Sequence, residues 1–148
     1  MKKYKVGFSL KGLIAFLIIM FPNIFWMIVP PTNNFLSTNS SNIEALNIIM
    51  TVSQWAMVAL LIFIVRKTVC PAKNFIYKLI CLLCIGIYYL FWTLYYLNKT
   101  SPIIFIGMAV FTCAFFILFI LWQKNYPALI PAIIFSLFHI AITVSNAI

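Results

Sequence analysis

Apolar residues fall in five runs along this chain, at about residues 13–30, 46–65, 79–97, 103–122 and 128–145, parted by short polar segments. A helix needs roughly 20 mainly apolar residues to cross the hydrocarbon core of a bilayer. Each run meets that length, so the pattern predicts an all-α polytopic membrane bundle of five transmembrane helices forming one integral domain over 1–148. Segment 1–12 reads as a basic leader. With the run after it, it mimics a secretory signal, but no small-x-small cleavage site follows, and Trp26, Pro30 and Pro31 suit an uncleaved first span better. Pro22 lies inside that span and predicts a kink, because proline removes one helix hydrogen bond and crowds the preceding turn.

The connections differ in kind. Segment 31–45 is rich in Asn, Ser and Thr and reads as a long external loop. Segment 66–78 carries four positive charges around Pro71 and reads as an internal loop, with a short interfacial piece ending at Lys78. Segments 98–102 and 123–127 are five-residue turns, which make the last three spans sequential antiparallel neighbours.

Composition narrows the class. With 66% apolar and 7% charged residues and a mean hydropathy of +1.14, the chain lacks the charged surface of a soluble domain and the polarity of a disordered one. The formal charge is +9, from ten Lys/Arg against a single acid, Glu44. A soluble chain with this balance would suggest nucleic acid. Here the charges sit between apolar runs, so they speak for topology and not for nucleic acid. Lys2, Lys3, Lys5, Lys11, Arg66, Lys67, Lys73, Lys78 and Lys124 fall on one side and only Lys99 on the other. The positive-inside rule then predicts the amino terminus inside and the carboxyl terminus outside. Glu44 reads as a solvated charge at the start of span 2, where the helix dipole favours it.

Polar side chains inside the spans are the informative ones, since each costs free energy in hydrocarbon unless partnered. At about 1.5 Å per residue, Asn23 lies about 16 Å from the inner edge, Gln54 about 12 Å from the outer edge and His139 near 18 Å from the inner edge. In a core of about 30 Å these depths approach the midplane. Asn23, Gln54 and His139 are therefore expected to share one polar cluster, with Tyr88, Tyr89 and Thr112 at similar heights. Ala128, Ala132, Ser136, His139, Thr143 and Asn146 recur at helical spacing and form one small, polar stripe on span 5. The expected cluster thus includes Ser136 and Thr143. Such a stripe serves close helix packing or lines a path for a ligand or proton. His139 is the only side chain here with an unperturbed titration near neutral pH.

Chemical motifs are sparse. Cys81 and Cys84 make a C-x-x-C at the inner end of span 3, superficially like that of membrane thiol oxidoreductases. Those enzymes keep the active pair near the oxidising face and need a second shuttle pair, which Cys70 and Cys113 do not form. Two cysteines without a nearby His or acid leave a zinc site incomplete. No disulfide scaffold is expected, because neither external loop holds a cysteine, and the four cysteines read as reduced. Ser136 and His139 share a helix face, but no intramembrane acid exists to orient the imidazole. No catalytic residues, cofactor or metal are assigned, and an enzyme is not expected. The absence of an intramembrane acid also argues against ion-coupled transport. The sequons at Asn39 and Asn98 fall in expected external loops.

Pro22-Asn23, the following Pro30-Pro31, Ile133-Ile134-Phe135 with His139, and the Lys, Ile, Asn and Phe bias resemble small multi-pass membrane proteins of low-GC Gram-positive bacteria. The resemblance covers nearly the whole chain and implies residence in a bacterial inner membrane, with no activity to transfer. The expectation for function is a non-enzymatic accessory, sensor or immunity-type binding subunit, partnered by the lipid bilayer and another membrane protein. The alternative is a small transporter or channel for a neutral solute.

Overall fold

A computed structural model of the chain describes residues 3–67 and 75–148. Five helices dominate it: α1 (Leu10–Ile28), α2 (Glu44–Phe63), α3 (Phe75–Tyr96), α4 (Pro102–Gln123) and α5 (Tyr126–Ala147). All five are long and apolar enough to cross a membrane, and the chain is a multi-pass membrane protein. Cys70, Pro71 and Lys73 of the expected internal loop, together with Lys2, lie outside the described residues.

Local chemistry sets the helix ends. Ser9 caps α1, its Oγ accepting from the Gly12 N–H at 3.1 Å. Proline in the first turn starts α4 (Pro102) and α5 (Pro127), where a missing N–H costs nothing. Lys124 adopts a left-handed conformation (φ 54°), and its N–H returns to the carbonyls of Ile120 and Leu121, ending α4 within one residue. Most helices overrun the apolar runs by a turn or less. α3 begins at Phe75 rather than Leu79, because a helix can pass the bilayer edge with Lys78 reaching into the headgroup layer. Phe75 to Lys78 are continuous with α3, and the rest of the expected interfacial piece lies outside the described residues. α1 continues through Pro22 as one helix from Leu10 to Ile28.

The expected plain basic leader is also structured. β1 (Tyr4–Val6) pairs antiparallel with β2 (Ile64–Arg66), which follows α2 directly, in the register Tyr4 with Arg66 and Val6 with Ile64. This ladder gathers the start of α1 and the end of α2. The Tyr4 hydroxyl donates to the Lys124 carbonyl at 3.1 Å and so brings the α4–α5 turn to the same end. Lys3, Lys5, Lys11, Arg66, Lys67, Lys78 and Lys124 thus share one end of the bundle, here the lysine-rich end.

α4 packs closely along α3 on one side and α5 on the other; α5 packs along α2, and α1 meets α2 and, more lightly, α3. The helices therefore close a ring in the order α1, α2, α5, α4, α3. α4 is the most buried, with Phe105, Phe115, Phe116, Phe119 and Ile120 all inside. The outer faces carry exposed Ile24, Val52, Leu83, Leu90 and Leu137. A water-facing bundle would hide such side chains; a lipid-facing one shows them.

Candidate functional site: a polar cavity within the helix ring

The ring encloses a cavity of about 220 Å³. Every helix contributes a polar side chain to its wall: Asn23 from α1, Gln54 from α2, Tyr88 from α3, Thr112 from α4, and His139 and Thr143 from α5. Ile19, Met57, Met108, Phe116 and Phe135 supply apolar wall between them. Among the described residues, no Lys, Arg, Asp or Glu lines it.

One wall is a hydrogen-bonded joint between α1 and α3. Asn23 Nδ2 donates to Tyr88 Oη at 2.8 Å and to the Ile19 carbonyl at 3.2 Å, while the Tyr88 hydroxyl donates to the same carbonyl at 3.0 Å. Just behind it, the Tyr89 hydroxyl donates to the Ile18 carbonyl at 2.7 Å. A buried pair of this kind fixes the two helices in register, since separating them strands several polar groups in hydrocarbon.

The opposite wall has polar capacity to spare. Among the described residues, neither Gln54 nor His139 makes a side-chain hydrogen bond, and the imidazole stacks on Phe135 with ring centroids 5.0 Å apart. Trp92 also lines the cavity; it is almost wholly buried, and its indole N–H has no partner among the described residues. A buried donor left unpaired costs about 1–3 kcal/mol.

At the end opposite the lysine-rich one, the α1–α2 connection folds across the cavity. A 3-10 turn (Phe35–Thr38) places Leu36 and Asn39 in the cavity wall. Trp26 Nε1 donates to Asn34 Oδ1 at 2.8 Å, and Phe35 stacks on Phe105 at 3.9 Å. Asn39 Nδ2 donates to Thr143 Oγ1 at 3.1 Å, and Asn146 Nδ2 donates to Asn39 Oδ1 at 3.1 Å. Tyr95 of α3 accepts from the Leu36 N–H at 3.4 Å, and Asn47 of α2 bonds both backbone groups of Ser41, so side chains from all five helices hold the segment, with no strand ladder among the described residues.

Of the six residues expected to cluster, the structure brings five, Asn23, Gln54, Tyr88, His139 and Thr143, to this cavity, with Thr112 beside them. Ser136 is not in the wall. Its hydroxyl turns back along α5 and donates to the Ala132 carbonyl at 2.7 Å, which consumes it locally. Tyr89 faces the α1 backbone instead. Trp92 and Asn39 were not expected. Trp92 follows Tyr88 by one helical turn, a spacing that places it on the same face; Asn39 carries no signal of its own in a loop full of asparagines.

Cys81, Cys84 and Cys113 are buried free thiols. Among the described residues, no three of His, Cys, Asp and Glu come close enough together to hold one metal ion. Compared with protein families, with curated proteins and with solved structures, the chain matches none.

Proposed function

We propose that this chain is a non-enzymatic binding protein of the cell membrane, of the sensor or accessory kind, and that its ligand is a small uncharged solute held in the cavity between the five helices. The observation that carries this reading is the concentration of polar groups without partners among the described residues (Gln54, His139 and the Trp92 indole) on a cavity that none of the described charged side chains lines. An ion would meet no opposite charge there and would lose its hydration. A neutral molecule with a few donors and acceptors would pair those groups at little cost. At about 220 Å³ the cavity is smaller than the roughly 300–1,000 Å³ of pockets for drug-sized ligands, which fits a compact solute. The lysine-rich end faces the cytoplasm in this reading, and the resemblance to small bacterial membrane proteins supports an inner-membrane setting.

A second reading is passage of the same solute. It is favoured by the way the segment over the cavity is attached, through hydrogen bonds to helix side chains such as Thr143, Asn146 and Tyr95, which can part without breaking a helix or a sheet.

The test is thermal unfolding of the detergent-purified chain with a panel of compact neutral molecules (acetamide, glycerol, urea) and charged counterparts (acetate, methylammonium). A ligand that binds only the folded state raises Tm. The expected result is a rise with at least one neutral molecule that Gln54→Leu or Asn23→Leu abolishes. A rise restricted to charged molecules, or one indifferent to both substitutions, overturns the reading. Uptake of the stabilising solute into proteoliposomes separates passage from simple binding.

A further inference from the structure

A second recess lies outside the ring at the lysine-rich end. α1 and α3 are joined by hydrogen bonds at Ile18, Ile19 and Asn23 and again where the Tyr96 hydroxyl donates to the Val29 carbonyl at 3.0 Å. Between Ile18 and the lysine-rich end they part. A groove of about 320 Å³ runs there, walled by Ile14, Ala15 and Ile18 of α1 and Leu82 and Ile85 of α3, and floored by Phe115 and Phe119 of α4. It extends over about two helical turns, roughly 10 Å at 1.5 Å per residue. Its mouth is basic. The ammonium groups of Lys11 and Lys78 both approach the Trp122 ring, at 6.0 and 5.6 Å from its centroid. Both lysines are exposed, and Lys11 belongs to the first turn of α1, where the dipole favours an anion. The only acid in the chain, Glu44, starts α2 at the other end of the bundle.

Two like charges brought to one aromatic ring without a carboxylate call for an anion, and a lipid-facing apolar groove directly beneath calls for hydrocarbon. We propose that this groove binds one anionic phospholipid from the leaflet at the lysine-rich end, its phosphate between Lys11 and Lys78 and one acyl chain laid over Phe115 and Phe119. Basic pockets between transmembrane helices recognise lipid headgroups by this combination. The Trp122 indole holds the two lysine stems in place by cation–π attraction, so the headgroup site is formed before the lipid arrives. The lipid then fills the gap between α1 and α3, the least closely packed neighbours in the ring.

The test is native mass spectrometry of the full chain in mild detergent, titrated with phosphatidylglycerol or with phosphatidylcholine of the same acyl chains. The expected result is one retained phosphatidylglycerol per chain, with a preference over phosphatidylcholine of about 10-fold or more. Lys11→Gln with Lys78→Gln removes that preference. Lys3→Gln with Lys5→Gln takes the same charge from the same end away from the groove and leaves the preference intact. Leu82→Trp, which narrows the groove and alters no charge, lowers retention of phosphatidylglycerol and serves as the second readout if the double lysine variant does not fold. Equal retention of the two lipids, equal loss in both lysine pairs, or displacement by equimolar inorganic phosphate overturns the proposal; the last outcome makes the site one for a free anion.

Discussion

Tyr89 donates its hydroxyl to the Ile18 carbonyl at 2.7 Å, and Ile18 is the residue that Pro22 deprives of its helical partner. A carbonyl accepts from the N–H four residues on, and proline has none. α3 thus repairs from outside a gap that α1 carries in its own sequence, which lets α1 run unbroken from Leu10 to Ile28.

Removal of that hydroxyl by Tyr89→Phe is expected to lower stability by about 1–2 kcal/mol. Pro22→Ala restores an N–H at position 22, so the loss on adding Tyr89→Phe shrinks in the Pro22→Ala background. Denaturant unfolding of the four proteins in detergent reads this directly. Additive losses contradict the repair, because residues sharing one carbonyl must couple.

Asn23 and Tyr88 form the second half of the joint, at 2.8 Å. A double-mutant cycle with Asn23→Leu and Tyr88→Phe is expected to give a coupling of about 0.6–2 kcal/mol, the range of hydrogen bonds between transmembrane helices. Zero coupling separates the two residues and removes that wall of the cavity.

Asn125 is buried in the α4–α5 turn, and its Nδ2 donates to the carbonyls of Leu60 and Ile64 at 2.9 and 3.0 Å. The Leu60 carbonyl already accepts from the Ile64 N–H that closes α2, so the amide adds a second donor there and ties the helix end to the Ile64 carbonyl at the start of β2. Asn125→Leu is expected to cost about 1–3 kcal/mol and to speed amide exchange across Ile64–Arg66, where α2 gives way to β2. Unchanged exchange there contradicts the capping role.

The glycines rank by what a methyl group meets. A Cβ at Gly12 collides with the backbone carbonyl of Leu61, which cannot move without parting α1 from α2. At Gly86 nothing lies within 4 Å. Gly12→Ala is expected to destabilise by about 1–3 kcal/mol through overpacking, while Gly86→Ala is neutral or stabilising by up to about 1 kcal/mol through helix propensity. Thermal unfolding checks the order, and its reversal contradicts the close α1–α2 approach.

The sequence made some of this legible and hid the rest for identifiable reasons. Five apolar runs of span length specify five helices, because a bilayer admits little else. Depth arithmetic put Asn23, Gln54, Tyr88 and His139 in one layer, because rise per residue is fixed. Depth says nothing of angle, so the back-bonding of Ser136 to Ala132 and the turn of Tyr89 toward Ile18 were out of reach. Three-residue strands such as Tyr4–Val6 have too few positions for a period to register, and their pairing depends on where α1 begins and α2 ends. The segment across the cavity mouth is invisible for a similar reason. Asn34 and Asn39 differ from Asn33 and Asn42 only in which helices they meet.

The central claim is that the ring encloses a polar cavity that a small neutral solute can enter. It is tested most directly by cysteine reactivity in a background with the native cysteines replaced by alanine. Two single substitutions are compared: His139→Cys, in the cavity wall, and Leu137→Cys, on the exposed apolar face of the same helix. Thiols react as thiolates and so report local polarity and access. The account predicts that in lipid vesicles methyl methanethiosulfonate, which is small and uncharged, modifies Cys at 139 at least about 10-fold faster than Cys at 137, and that a bulky charged thiosulfonate modifies neither. Equal, slow modification of both positions by the small reagent would contradict it.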